Sequence, residues 1–209
     1  MTPSETAPHV IVADYGLGNL KSVRGALGRA GAEVTVSGER SAFAEADGIV
    51  LPGVGAFGRG VENAEAIRSD LLAAIDDGTP TLGICLGLQL LLTDSEEAPG
   101  VRGFDRIPGT NRRFDGEVKV PHMGWNEIEV VRGHPLVSGL EGGYAYFVHS
   151  YYPDPVDDAA VVATTEHGVR FPSILADGSV LGTQFHPEKS GETGLAILRN
   201  FVSIVDETR

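Results

Sequence analysis

The sequence is poor in cysteine, tryptophan and methionine, with one, one and two of each among 209 residues. A single cysteine excludes an internal disulfide framework, because each disulfide needs two. The longest mostly apolar run, residues 82–92, is interrupted by Gly83, Gly87 and Gln89, whereas a membrane helix needs about 20 apolar residues. No basic region followed by an apolar stretch begins the chain, so no secretory signal is expected and a cytoplasmic protein is predicted.

Basic residues are also scarce relative to acidic ones. Lysine and arginine number 16 and aspartate and glutamate 29, which gives a formal charge of −13. This charge argues against a nucleic-acid binder and against attachment to anionic lipid, because both depend on basic surfaces. The 42% of hydrophobic residues and 22% of charged residues are typical of a globular protein, and the length favours one domain.

The first 92 residues alternate between short apolar runs and segments with helical periodicity. The predicted strands are residues 10–13, 33–37, 48–51 and 81–84, and the predicted helices are residues 20–30, 61–76 and 86–92. Wholly apolar strands that alternate with helices indicate a parallel sheet covered on both faces.

The second half of the chain has a different sequence pattern. Strand-like runs occupy residues 127–131, 144–148, 160–164, 169–175 and 179–184, and an amphipathic helix covers residues 192–205. These runs favour an antiparallel portion. We therefore predict a single α/β domain over residues 9–209, with a mostly parallel central sheet, flanking helices and an added antiparallel portion. Residues 1–8 are predicted to be a disordered extension, and the arginine-rich stretch 101–115 a peripheral loop without a role.

The segment 83–87 reads Gly-Ile-Cys-Leu-Gly and joins a buried strand to a helix. Glycines two residues before and after the only cysteine are typical of a nucleophile elbow, here with cysteine in place of serine. The turn would place the Cys85 sulfur at a helix N-terminus, which stabilises negative charge, and would aim the Leu86 amide at an oxyanion. The alternative interpretation is a buried structural cysteine beside glycines that allow close packing.

A cysteine nucleophile needs a base, and the chain offers six histidines, at positions 9, 122, 134, 149, 167 and 186. Only His186 has an obvious orienting partner nearby. Pro187 favours an extended conformation at His186, in which residues two apart point to the same side, so Glu188 can reach the imidazole. This predicts a triad of Cys85, His186 and Glu188; the alternative is a surface turn that follows a strand.

A second oxyanion donor is expected at the end of the neighbouring strand, where residues 51–55 read Leu-Pro-Gly-Val-Gly. The unhindered amides of Gly53 and Val54 can face the pocket above the cysteine. Residues 53–58 also match the dinucleotide fingerprint G-x-G-x-x-G, but they follow the third strand and lack an acidic strand tip about 20 residues later. No nucleotide, other cofactor or metal is predicted, because no zinc-type spacing of cysteine and histidine is present either.

The Cys85 elbow followed by Gln89, together with His186-Pro187-Glu188, resembles the class I (triad-type) glutamine amidotransferases over roughly residues 10–205. The resemblance implies hydrolysis of the side-chain amide of L-glutamine. Cys85 would attack the carboxamide, His186 would protonate the departing ammonia, and water would release glutamate from the thioester.

Four further segments resemble one branch of that family, the glutaminase subunits of imidazole glycerol phosphate synthases in histidine biosynthesis. They are residues 14–20, 52–57, 120–126 and 147–151. The resemblance implies that L-glutamine is held by Gly55, Gln89, Ser150 and Tyr151, and that amides near Val54 and Leu86 form the oxyanion hole. It also implies a heterodimer with a (β/α)8 cyclase subunit, met by Asn19, Trp125, Tyr146 and Lys189. Trp125 and Tyr146 have the alternative of packing in the core.

Three other functions remain open at this level. The same chemistry could supply anthranilate, GMP or pyridoxal phosphate synthesis, although residues 120–126 and 147–151 argue against those branches. A stand-alone cysteine peptidase or chaperone-like hydrolase often has histidine directly after the cysteine, where this chain has Leu86. A catalytically silent subunit would be favoured by loss of a triad residue, and none is lost. A partner is expected because free ammonia is protonated and lost in water, so its delivery needs an enclosed route.

Overall fold

The computed structural model describes residues 6–116 and 118–209. Its strands are β1 (His9–Ala13), β2 (Glu33–Ser37), β3 (Gly48–Gly53), β4 (Thr81–Cys85), β5 (Leu92–Ser95), β6 (Ile107–Arg113), β7 (His122–Val130), β8 (Gly142–His149), β9 (Tyr151–Pro155), β10 (Val161–Glu166), β11 (Arg170–Asp177) and β12 (Val180–Thr183). Its helices are α1 (Leu20–Ala30), α2 (Phe57–Asp76), α3 (Leu86–Leu91) and α4 (Gly191–Thr208). None of these helices is long and apolar enough to span a membrane.

The main sheet has nine strands in the order β2-β1-β3-β4-β12-β11-β10-β7-β8 within the described residues. The strands from β2 to β12 in this order are parallel, and those from β12 to β8 are antiparallel. This confirms the predicted α/β architecture with an antiparallel portion in the second half. Ligands of such sheets bind at the carboxyl ends of parallel strands, which here are the adjacent ends of β3, β4 and β12.

Helices cover both faces of the parallel strands, as the wholly apolar runs predict. Along β1, Val10 and Val12 belong to one core cluster, which α1 and α4 complete. Ile11 and Ala13 belong to the other, which α2 and α3 complete. Successive strand residues point to opposite faces, so a strand buried on both sides must be apolar at every position.

Helix boundaries follow local signals. The Asn19 side chain caps α1 by accepting the Ser22 amide at 3.4 Å, and Gly31 ends it with a left-handed φ of 106°. Helix α2 begins at Phe57, four residues before the predicted start at residue 61. The predicted helix from residue 86 is only the six-residue α3, and Leu92 already belongs to β5.

A second sheet was not predicted from the sequence. It has three strands in the order β5-β6-β9, so the prediction of a peripheral loop over residues 101–115 is wrong where β6 crosses it. The buried positions of β6 are Ile107, Gly109 and Asn111, and only one of these is apolar. Because strand prediction depends on alternation of apolar side chains, a strand whose inner positions are glycine and asparagine gives no such signal.

Arg102, Arg106 and Arg112 of this stretch form ion pairs. Arg112 on β6 lies 3.0 Å from Glu96, the residue that follows β5, and 3.1 Å from Asp154 on β9. Residues 1–5 of the predicted N-terminal extension lie outside the described residues. Within the described part, Pro8 is buried and its carbonyl accepts the Glu33 amide at 2.9 Å. The disorder of residues 1–8 as a whole stays a prediction.

Candidate active site

Cys85 occupies the sharp turn between β4 and α3. Its backbone has φ 54° and ψ −108°, in the positive-φ region that side chains other than glycine rarely adopt. The flanking glycines are sterically required, since a Cβ at Gly87 would lie 1.7 Å from the Leu51 carbonyl oxygen and one at Gly83 would lie 2.6 Å from the Leu88 nitrogen. Strained residues of this kind occur at active sites, where the surrounding structure holds them.

His186 and Glu188 form the contact that the sequence predicts. The Nδ1 atom of His186 lies 2.9 Å from Glu188 Oε1, and both side chains are buried. The backbone at His186 is extended as predicted, with φ −97° and ψ 95°, but Pro187–Lys189 then forms a short 3-10 turn. The Ser190 hydroxyl closes this turn by donating to the His186 carbonyl at 2.6 Å, so Glu188 reaches the ring through a turn and not along an extended strand.

The electrostatics of His186 suit a proton donor. Burial by itself lowers its pKa, but the nearby Cys85 sulfur, the hydrogen bond to Glu188 and the charges of both outweigh burial and raise the pKa to about 9. The Nε2 atom of His186 is buried and has no well-formed hydrogen bond to any residue of the described ranges. Since Nδ1 faces Glu188, Nε2 is the ring atom left for the thiol and for substrate.

A cavity of about 240 Å³ opens at these side chains. Its lining residues are Val54, Gly55, Cys85, Leu86, Gln89, Glu97, Pro121, Val148, His149, Ser150, Tyr151 and His186. The structure therefore brings the cysteine and histidine together with all four residues predicted to hold glutamine. Gly53, predicted for the oxyanion hole, pairs with Cys85 in the sheet, while Val54 and Leu86 face the cavity.

Two residues that the sequence analysis missed support the predicted oxyanion loop. The buried Tyr15 hydroxyl donates to the Pro52 carbonyl at 2.5 Å, directly before that loop. Burial, with a smaller effect of Cys85, raises the Tyr15 pKa well above its usual range, so the hydroxyl keeps its proton. Glu97 accepts the Phe57 amide at 2.7 Å and so fixes the start of α2, directly after the loop. Tyr15 lies in the segment 14–20 that carries the family resemblance, but no role was predicted for it, and Glu97 lies outside the recognised segments.

A buried pair of amides connects the cysteine to the predicted glutamine subsite. Gln89 Nε2 donates to the Tyr151 carbonyl at 2.9 Å and to Gln184 Oε1 at 3.0 Å. Gln184 Nε2 in turn lies 3.7 Å from the Cys85 sulfur. Because the Gln89 amide nitrogen donates both of its hydrogens to these two oxygens, only the Gln89 side-chain oxygen is left to bind substrate, by accepting a hydrogen bond. Gln184 was missed, although it lies two residues before His186.

Three of the four predicted interface residues lie together. Trp125 on β7 and Tyr146 on β8 are register partners, and their rings meet edge to face with centroids 6.2 Å apart. Lys189 Nζ lies 5.9 Å from the centre of the Tyr146 ring. Trp125 is 58% exposed, so it is not a core residue. Asn19 is also exposed and caps α1. The exposed Met123 and Tyr144 extend the same side of these strands, and we call Met123, Trp125, Tyr144 and Tyr146 the aromatic face.

Comparison with known proteins identifies relatives of the whole chain. The model of the family described as glutamine amidotransferase class-I matches residues 11–205. The chain is 61% identical to the imidazole glycerol phosphate synthase subunit HisH of Natronomonas pharaonis, with 97% of each protein covered. It is 60% identical to the protein of that name from Halobacterium salinarum, covering 92% of each, and 50% identical to that from Methanothermobacter thermautotrophicus, covering 94% of this chain and 98% of the relative.

Solved structures support the fold. A structure described as a glutamine amidotransferase superposes with a TM-score of 0.75 at 20% identity, covering 94% of this chain and 98% of the other. PurLQS from Thermotoga maritima gives a TM-score of 0.73 at 21% identity, covering 95% of this chain and 99% of the other. At such identities the likeness concerns the architecture alone.

Proposed function

Since this chain belongs to the glutamine amidotransferase class-I family, we propose that it is the glutaminase subunit of an imidazole glycerol phosphate synthase in histidine biosynthesis. The relatives that carry that name match it over nearly their whole length. The observation that carries the chemistry is one cavity lined by Cys85 and His186 together with Gln89 and Tyr151. The buried Glu188 carboxylate lies 2.9 Å from Nδ1 of that histidine.

The reaction is the hydrolysis of glutamine to glutamate and ammonia. The Cys85 sulfur attacks the carboxamide carbon, and the negative charge moves to the oxygen, which the Val54 and Leu86 amides stabilise. His186 carries a proton at neutral pH because its pKa is about 9, and it gives that proton to the leaving nitrogen. The C–N bond breaks, and ammonia and a Cys85 thioester result. Water then gives a proton to His186 and its oxygen replaces the sulfur, which releases glutamate.

Glu188 holds the histidine in the orientation that this sequence needs. Its carboxylate accepts from His186 Nδ1, so Nε2 points to the sulfur and the leaving group. Ser150, Tyr151, Gly55 and Gln89 line the cavity together with His186 and are proposed to hold glutamine. None of these steps requires a cofactor, since a thiol, an imidazole and water balance the reaction.

The ammonia is proposed to pass to a (β/α)8 cyclase subunit that docks on the aromatic face. Two features support this surface: its aromatic and methionine side chains are up to 60% exposed, and Val148, which follows Tyr146 on the same side of β8, lines the cavity. Exposed aromatic residues are typical anchors of protein interfaces. We place the heterodimer in the cytoplasm, where a free catalytic thiol stays reduced.

The decisive experiment measures glutamate release from glutamine by the chain alone, with the cyclase subunit, and with that subunit plus its nucleotide ligand. We expect activity in the complete mixture and none with Cys85→Ala. Ammonia-dependent synthesis by the partner should survive this change, because Cys85 acts only on glutamine. Loss of both activities together would contradict the division of labour, and absence of glutamate release in every mixture would contradict the proposal.

The docking surface is tested separately by partner titration. Trp125→Ala is expected to weaken cyclase binding at least tenfold, as truncation of a central aromatic anchor does. Val156→Ala is the matched control, because Val156 is 81% exposed but follows β9 on the second sheet. Equal binding by the two variants would show that the partner docks elsewhere.

A further inference from the structure

Two buried histidines, His122 and His149, face each other across β7 and β8. They are register partners in the sheet, and His122 Nδ1 lies 3.0 Å from His149 Nε2. The His122 ring lies between two other rings, with centroid distances of 4.2 Å to His167 and 4.8 Å to Phe147 and small interplanar angles to both. Only His149 of the pair lines the cavity, and the triad chemistry uses neither.

A single carbonyl fixes the direction of their hydrogen bonds. His149 Nδ1 lies 2.8 Å from the Tyr151 carbonyl oxygen, which can only accept, so Nδ1 carries the hydrogen. In a neutral ring Nε2 is then an acceptor, and His122 Nδ1 must donate to it. His122 Nε2 is an acceptor in turn, and Asn126 Nδ2 lies 3.1 Å from it. Burial, which lowers the pKa of His122 to about 4 and of His149 to about 3, agrees with two neutral rings.

The same carbonyl directs the bonds on its other side. It accepts from Gln89 Nε2, which also donates to Gln184 Oε1, and this leaves Gln184 Nε2 as a donor towards the Cys85 sulfur. One directed chain of side chains therefore runs inward from Asn126 to the Tyr151 carbonyl. A second runs from the Gln89 amide to the nucleophile.

The Tyr151 carbonyl lies at a structural junction. Strand β8 ends at His149 in the main sheet, and β9 begins at Tyr151 in the second sheet, so the chain changes sheets at Ser150. The two residues on this junction, Ser150 and Tyr151, both line the cavity. The side chain of His149 thus holds the carbonyl two residues further on, and it fixes the direction in which the junction leaves the main sheet.

We propose that His122 and His149 are positioning residues that hold the Ser150–Tyr151 junction in its glutamine-binding conformation and tie it to the strand of the aromatic face. The proposal rests on the proposed function, because the junction is meaningful as a subsite only if glutamine binds there. Asn126, where the chain of hydrogen bonds begins, is adjacent to Trp125 and points to the opposite side of β7. Movement of that strand therefore reaches the subsite through two hydrogen bonds. One joins the His122 and His149 rings, and the other joins His149 to the Tyr151 carbonyl.

Two amide substitutions at the same position test the direction of the chain. The side-chain nitrogen of asparagine is as many bonds from Cα as Nδ1 of histidine, and that of glutamine as many as Nε2. His149→Asn keeps a donor for the Tyr151 carbonyl, whereas His149→Gln removes it. In the complex with the cyclase, we expect His149→Gln to raise KM for glutamine about tenfold with a smaller change in kcat, and His149→Asn to stay within about twofold of the native KM.

His9→Gln is the control, because His9 lies on β1 and its Nε2 bonds to Thr35 at 2.9 Å, away from the cavity. Its kinetic constants should equal those of the native protein. Equal KM values for the asparagine and glutamine variants of His149 would overturn the proposal, since a purely structural ring would not distinguish Nδ1 from Nε2. If the native complex releases no glutamate, the proposed function fails, and the next measurement still decides the hydrogen-bond direction.

That measurement is the ¹⁵N NMR spectrum of the histidine rings in the native chain near neutral pH, which does not depend on a variant that folds. We expect both His122 and His149 to carry their hydrogen on Nδ1, with a scalar coupling across the bond from His122 Nδ1 to His149 Nε2. A hydrogen on His149 Nε2, or a doubly protonated ring at either position, would overturn the proposed chain.

Discussion

Acidification should destabilise this protein through its buried histidine pair. Both rings are at least 94% buried and have pKa values lowered to about 4 for His122 and about 3 for His149. Burial is the main cause of both lowered pKa values, and the charge of His167 adds to it at His122. At His149 the hydrogen bond to the Tyr151 carbonyl opposes burial, and the charges of His122, His167 and His186 add to it. In the unfolded chain each histidine titrates near pH 6.5, so below that pH the unfolded state binds protons that the folded state does not.

The size of this effect follows from the separation of the two pKa values. Each pH unit in which one proton is bound only by the unfolded state lowers the free energy of unfolding by about 1.4 kcal/mol. From pH 7 to pH 5 the loss is about 2 kcal/mol per histidine and about 4 kcal/mol for the pair. His186 acts in the opposite sense. Its raised pKa stabilises the fold fully below about pH 6.5 and ceases to do so as pH rises through about 9. Acidification from pH 7 to pH 5 therefore raises the free energy of unfolding by about 1 kcal/mol through His186.

Urea unfolding at pH 7, 6 and 5 and constant ionic strength measures this directly. We expect these three histidines together to contribute a loss of about 3 kcal/mol between pH 7 and pH 5. His134 adds to the loss in the same sense, because burial and the charge of Arg132 lower its pKa. In His149→Asn the loss should be about 2 kcal/mol smaller, because one of the two titrating rings is gone, whatever the substitution does to the stability at pH 7. Parallel pH dependences of the native protein and His149→Asn would refute the reasoning, since they would mean that His149 is not held neutral by the fold.

Two further perturbations have expected outcomes. Gly87→Ala should lower the free energy of unfolding by more than about 3 kcal/mol or prevent folding, because the new Cβ would lie 1.7 Å from the Leu51 carbonyl oxygen, which belongs to a central strand. Gly28→Ala is its control: Gly28 lies in α1 with open space around it, so this change should stabilise by up to about 1 kcal/mol, and equal effects of the two changes in a urea titration would contradict the steric argument. Tyr15→Phe leaves the buried Pro52 carbonyl without its donor, so we expect a loss of about 1–3 kcal/mol and a lower kcat for glutamine; a native urea midpoint would show that the hydroxyl does not hold the loop.

The parts of the site that could be predicted are short in sequence. The elbow depends on five consecutive residues, and the His186–Glu188 pair on residues two apart. In both cases covalent connection limits where the side chains can go, so spacing and residue type carry the information. The parallel strands were predictable for a similar reason, because burial on both faces requires an unbroken apolar run such as residues 10–13 of β1.

The supporting contacts could not be predicted, since they join distant residues. Gln89 meets Tyr151 across 62 positions and Gln184 across 95, and Glu97 reaches Phe57 across 40. Each contact joins single polar residues far apart in the chain, so the sequence does not indicate which partner each of them will have. The second sheet was missed likewise, because the inner positions of β6 are mostly not apolar.

The sequence by itself determined the local chemistry: a cysteine on a strained turn, an imidazole with its carboxylate, and the order of strands and helices that builds a doubly covered parallel sheet. Tertiary structure alone decided the rest. It placed the ends of β3, β4 and β12 side by side, aligned Trp125 with Tyr146 on the surface, and set His122 opposite His149 beneath it. The physical reason is that local backbone preferences act over a few residues, whereas strand register and the direction of a buried hydrogen-bond chain exist only once distant segments pack together.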